Sequence, residues 1–134
     1  MTDIFVGRLM SSPVESVTPE TPVQQAATTL LDLDIGSVVV VDDTNDLAGI
    51  LTTTDFVQIA ADRAETDTAT VADYMTTDVV TVTANESIRS VAKTMDENGF
   101  HHVPVVDDET GVIGMLTTAD LTAYLSHLES PPAV

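Results

Sequence analysis

Two stretches of this 134-residue chain hold side chains that could do chemistry together, Thr52-x-x-Asp55 and Thr117-x-x-Asp120. Each follows a short apolar run and opens an amphipathic segment, so each reads as a strand feeding a helix. A hydroxyl and a carboxylate one helical turn apart at such a junction have two uses. They form a capping box, which satisfies the first N–H groups of the helix and needs no ligand. They also sit where unpaired N–H groups and the positive end of the helix dipole favour a phosphate, with the threonine hydroxyl as a further donor. An aspartate one turn in can then accept two hydrogen bonds from a ribose diol. Residue pattern alone leaves both uses open.

The elements that must position these residues occur twice. Gly114 stands 65 positions after Gly49 (114 − 49), and the same offset runs without a gap from Leu9/Tyr74 to Val57/Thr122. Identical pairs include Met10/Met75, Ala27/Ala92, Val38/Val103 and Asp42/Asp107. The chain is therefore one motif used twice. Each copy reads β-α-β-β-α. A short helix is expected over 2–10, capped by Thr2 or Asp3, and its counterpart begins with the capping box Thr70-x-x-Asp73. Short strands are expected over 14–18 and 79–83. Thr21 and Pro22 read as the cap and first residue of a helix whose core stripe is Val23, Ala26, Ala27, Leu30 and Leu31. The second copy offers Ile88, Val91, Ala92 and Met95, closed by Gly99. The β-branched runs 37–41 and 102–106 suit strands buried on both faces, with partners over 47–51 and 112–116. Helices opening at Thr52 and Thr117 would turn Phe56, Ile59 and Ala60, and Leu121, Tyr124, Leu125 and Leu128, toward the core.

Composition bounds the function. Asp and Glu number 22 against 4 Lys and Arg, a formal charge of −18, which repels phosphate backbones and anionic lipid. Direct nucleic-acid and membrane partners are thus not expected. Hydrophobic residues still make up 43%, enough for a packed core. Lys93 is the only lysine, and such an acidic, lysine-poor surface suits a very salty cytoplasm. Cysteine is absent, which excludes disulfides, thiolate nucleophiles and cysteine-ligated zinc. No secretory signal is read, and no apolar run approaches the roughly 18 residues that span a bilayer. A soluble, cytoplasmic protein is expected.

The short helices ending in Met10 and Met75, the runs at 37–42 and 102–107, and the two glycine-hydrophobic-x-Thr-x-x-Asp stretches, in order and twice, resemble a tandem pair of CBS domains, the Bateman module. The resemblance covers nearly the whole chain. It implies a mixed α/β (α+β) fold of two repeats related by pseudo-twofold symmetry and packed sheet against sheet. Residues 1–134 would be one module, with repeats over about 6–63 and 71–128, a linker over 64–70 and a tail over 129–134. It also implies two clefts between the repeats that take adenosine-containing ligands, such as AMP, ADP, ATP or S-adenosylmethionine. In that family the threonine contacts phosphate and the aspartate holds the ribose hydroxyls.

Carried over by position, one cleft contains Ile50, Thr52, Asp55, Met75, Asp78, Val80, Phe100 and His101. The other contains Met10, Pro13, Glu15, Ile35, Gly36, Met115, Thr117 and Asp120. Neither set includes Lys or Arg, which disfavours a triphosphate and favours AMP or a weakly charged adenosyl ligand. The clefts differ at the residue before the strand, His101 in one and Gly36 in the other, so only the first is expected to offer an imidazole.

The resemblance implies a stand-alone regulatory module acting through a protein partner, without catalysis or a required cofactor. A homodimer in a flat disc is expected. The rival readings are a dimerisation module with unused clefts and a small enzyme, for which the only candidates are Asp55, Asp120 and His101. No metal site is expected, because adjacent His101 and His102 on a strand point to opposite faces. The acidic turns at 42–46 and 107–109 lack the spacing of a calcium loop.

Overall fold

The structure is a computed structural model and describes residues 4–128. The expected caps Thr2 and Asp3 and the expected tail lie outside those residues. In order the elements are α1 (Val6–Leu9), β1 (Ser16–Val17), α2 (Val23–Leu33), β2 (Ser37–Val41), β3 (Leu47–Thr52), α3 (Thr53–Ala61), α4 (Val71–Tyr74), α5 (Ile88–Asn98), β4 (His102–Asp107), β5 (Gly111–Thr117) and α6 (Thr118–Ser126). Strands β1, β2 and β3 form one sheet, and β4 and β5 form the other.

Strand periodicity distributes the core. Every residue of β2 is buried. Val38 and Val40 face the core of the first repeat with Ala26, Leu30 and Leu51. Val39 and Val41 face the other way, onto a separate cluster with Ile50, Val112 and Met115. Strand β4 does the same, sending Val103 and Val105 to the second repeat's core with Val91, Met95 and Leu116. Alternation along each strand thus builds three cores, one within each repeat and one where the sheets meet. The two sheets pack face to face, as expected.

The short helices are exchanged. Val6 of α1 is fully buried among Val82, Val91 and Met95 of the second repeat. Its backbone is fixed there by Val6 N–H to Glu86 O at 2.9 Å and Gly7 N–H to Ala84 O at 2.9 Å. In return Val71 of α4 is buried in the first repeat's core, with Val71 N–H donating to Thr21 O at 2.8 Å. Met10 and Met75 follow their helices across. A Cβ on Gly114 would lie 2.6 Å from the Met10 sulfur, and one on Gly49 would lie 3.0 Å from the Met75 sulfur and 2.6 Å from Thr76 O. Only glycine lets these crossing segments approach so closely. A further clasp comes from Asn45, whose Nδ2 donates to Thr110 O at 2.8 Å and Val112 O at 2.9 Å.

Several expectations are corrected. The expected strand over 79–83 contributes only a single parallel bridge, Val82 to Val105. Val82 N–H donates to Pro104 O and Val106 N–H to Val82 O. The next rung would need the N–H of residue 104, which proline lacks. In the first repeat Val39 occupies that place, and its N–H donates to Glu15 O at 3.3 Å, so β1 forms there. Helix α2 starts one residue late, with Pro22 as its N-cap, because the Thr21 hydroxyl accepts from Thr18 N–H instead. Leu31 is 82% exposed, beyond the edge of the α2 core stripe. Along α3 only Ile59 is buried and Ala60 is exposed, while α6 buries none of its residues fully and leaves Leu125 exposed. Leu128, just past α6, is exposed as well.

Candidate functional site

The strand β3 delivers Thr52 to the N-terminus of α3, where its backbone leaves the extended conformation and the helix begins. Thr52 N–H donates to Asp55 Oδ2 at 2.8 Å, so the carboxylate closes a capping box. Thr117 and Asp120 repeat this at α6, with Thr117 N–H to Asp120 Oδ2 at 2.8 Å and Asp120 N–H to the Thr117 hydroxyl at 3.1 Å. The capping use is therefore real at both junctions.

At the first junction it is accompanied by a cavity of about 310 Å³. From the first repeat it is lined by Ile50, Thr52 and Thr54, and from the second by residues 76–80 and 99–102 except Thr77. Six of the expected residues line it: Ile50, Thr52, Asp78, Val80, Phe100 and His101. Asp55 and Met75 do not. Asp55 is turned onto its own helix cap, and Met75 packs over Gly49 against the first repeat's core. The two walls are pinned at Ile50 and Thr76, which exchange backbone hydrogen bonds of 3.0 and 2.9 Å.

The second set is placed by the same symmetry. Ser11 and Met115 exchange backbone hydrogen bonds of 2.9 and 3.1 Å, as Ile50 and Thr76 do. Met10 lies over Gly114 and packs on the second repeat's core. Pro13 and Glu15 are exposed on the segment leading into β1, and Ile35 is half-buried against the first repeat's core. Gly36 O accepts from Thr53 N–H at 3.0 Å, just as His101 O accepts from Thr118 N–H at 3.0 Å. The space beside Gly36 is not empty. A Cβ there would lie 3.1 Å from Nε2 of His102, so an imidazole from the second repeat occupies the place of the missing side chain.

No lysine or arginine lines the cavity, whereas Asp78 does. Burial pushes the His102 imidazole below the usual histidine range, the neighbouring His101 adds to this, and Asp120 opposes it. Among the described residues no group of three or more His, Asp or Glu is placed to hold a metal ion.

A sequence profile of the CBS domain matches residues 6–62 and again 71–127. The chain belongs to the CBS-domain family. Over 120 residues this CBS pair is 30% identical to an uncharacterised protein of Methanocaldococcus jannaschii, covering 90% of the chain and 42% of that protein. It is 31% identical over 122 residues to a homoserine O-acetyltransferase of Methanocorpusculum labreanum, covering 91% of the chain and 24% of the relative. The chain thus spans less than half the length of either relative. Among solved structures, the CBS domain pair of protein MJ0100 in complex with 5'-methylthioadenosine and S-adenosyl-L-methionine superposes with a TM-score of 0.86 at 27% identity, covering 93% of this chain and 98% of that one.

The cavity of the CBS pair includes residues that sequence reasoning passed over: Thr54, Thr76, Val79, Gly99 and His102. Asp78, Val79 and Val80 all line it in succession, which strand alternation forbids. These residues precede the single bridge at Val82 and lie outside any ladder, so they need not alternate their faces. Gly99, left-handed at φ 71, both stops α5 and turns the chain toward Phe100.

Proposed function

We propose that this CBS pair is a regulatory module that takes an adenosine-containing ligand in the Thr52 cleft, with a second site at Thr117, and passes occupancy to a protein partner. One observation carries the reading. The N-terminus of α3 opens onto a cavity with polar walls at Thr76, Asp78, His101 and His102 and apolar ones at Ile50, Val79, Val80 and Phe100. An adenine ring would lie against those side chains, and the first N–H groups of α3 with the Thr52 hydroxyl would meet the polar end of the ligand. Asp55 stands outside the cavity lining with Oδ2 committed to the Thr52 N–H, so only its Oδ1 would be free to reach a ribose diol at the cavity's edge. The complex of protein MJ0100 with 5'-methylthioadenosine and S-adenosyl-L-methionine supports the same ligand class.

Charge narrows that class. With Asp78 in the lining and −18 on the whole chain, a triphosphate would be repelled, whereas a neutral thioether or cationic sulfonium adenosyl compound would not. AMP falls between. The capping roles of Asp55 and Asp120 leave neither carboxylate poised as a general base, which favours binding over catalysis. No helix among the described residues is long and apolar enough to cross a membrane.

The test is a thermal-shift series in high salt with 5'-methylthioadenosine, S-adenosylmethionine, AMP and ATP. Any ligand that binds only the folded state raises the melting temperature, by about 2.7 kcal/mol of stability at a hundredfold excess over Kd. The thioether, sulfonium and monophosphate compounds should stabilise, with ATP weakest. No response to any of the four at millimolar concentration would favour the rival reading, a dimerisation module with unused clefts.

A further inference from the structure

We propose that His102 is shared by the two clefts, forming a wall between them through which the state of one is felt in the other. The placement is unusual for a residue at the start of a buried strand. His102 lines the Thr52 cavity. It is also the cross-strand partner of Thr117, the hydroxyl residue of the second cleft. Its ring lies against Gly36 of the opposite repeat, with Nε2 3.1 Å and Cε1 3.7 Å from where a Cβ on that glycine would stand. Gly36 is not in the left-handed region, so the space, not the backbone angle, is what glycine provides there.

The half-buried ring thus touches both sides of the module and can change charge. The charged groups that bear on it are Asp120 on α6 and His101 beside it on the chain, and Asp78 lines the same cavity. Asp120 favours the protonated ring, and burial with His101 disfavours it. A ligand that fills the Thr52 cavity removes water from one side of the ring and further disfavours its proton. Losing that proton removes a positive charge facing Asp120, the carboxylate of the second cleft. By linkage, a ligand at Thr117 then acts back on the first cleft by the same factor.

The consequence for ligands rests on the binding function proposed above, whereas the first test does not. Histidine and amide NMR of the full chain is followed between about pH 4.5 and 8. The amides of Phe100 on one side, and of Gly36 and Thr117 on the other, should titrate with the His102 midpoint and stop doing so in His102→Gln. Asp120→Asn should lower that midpoint. Gly36→Ala, which adds one methyl against the ring and changes no charge, should also displace it. Silent Gly36 and Thr117 amides, or a midpoint indifferent to Asp120→Asn, would overturn the shared wall. In the second test, saturation with 5'-methylthioadenosine in Asp120→Ala, where only the Thr52 cleft is left intact, should lower the His102 midpoint. Binding without any such change would overturn the coupling. No binding at all would count against the proposed function for this ligand, and the ligand-free titration would still decide the wall.

Discussion

The chain supplies its own control for separating capping from ligand binding. Three Thr-x-x-Asp boxes share one geometry: Thr52 N–H to Asp55 at 2.8 Å, Thr117 N–H to Asp120 at 2.8 Å, and Thr70 N–H to Asp73 at 3.0 Å. Only the first heads a helix that opens onto the 310 Å³ cavity, whereas the Thr70 box caps α4, which is packed against the first repeat's core. Asp73→Ala should therefore lose a cap and nothing else. That costs about 1 kcal/mol, or roughly 3–5 °C in Tm for a domain of this size. Asp55→Ala should cost a similar amount of stability. It should in addition lose a charge-assisted contact to the ligand, worth about 1.5–3 kcal/mol, which is roughly ten- to hundredfold in Kd. Differential scanning fluorimetry reads the first quantity, and calorimetry with 5'-methylthioadenosine well below both melting temperatures reads the second. If Asp73→Ala weakens binding as much as Asp55→Ala, or Asp55→Ala binds like the parent, the aspartate is a cap only and the assignment of the cleft fails.

Three further outcomes are expected. Asn45→Gly keeps the left-handed turn at φ 66 accessible while removing two hydrogen bonds to the second repeat, so stability should fall by about 1–3 kcal/mol; a Tm within about 1 °C of the parent would show that the clasp holds nothing. With a formal charge of −18 and an exposed Lys93–Glu97 pair at 3.8 Å offsetting little, Tm should climb from millimolar to molar salt, and a flat profile would refute salt adaptation. Sedimentation at micromolar concentration in high salt should give the mass of two chains, because Val57 on α3 and Leu125 and Leu128 at the end of α6 are 69%, 65% and 49% exposed; a one-chain mass would refute the dimer.

Residue pattern was most informative where local chemistry decides structure. Continuous burial of β2, the capping box before α4 and the left-handed stop at Gly99 all follow from residue types within a few positions. What escaped was long-range. Nothing in the spacing of Val6 or Val71 says which repeat's core each will enter, because a valine on a short helix fits either. The exchange also bears on the expected dimer. The apolar residues of α1 and α4 are satisfied within the chain, which leaves α3 and α6 to carry the expected interface.

The candidate site was legible at its helix terminus and less so at its walls, for a reason that bears on mechanism. Thr52 and Asp55 are fixed by their own junction, but the opposite wall depends on a segment that cannot complete its ladder past Pro104. That wall is held instead by the Ile50–Thr76 bonds to the other repeat and by valines packed where the two sheets meet. The cavity is therefore not a property of either repeat, and its width depends on how closely the two sheets pack. A ligand that fits one width better than another must bias the packing of the repeats by that difference in binding free energy. The same linkage requires that a contact made elsewhere on the module, if it prefers one packing, alters affinity in the cleft by the reciprocal amount. Two repeats that lend each other their first helices share the joint between their sheets, and a cavity walled by both must change shape when that joint moves.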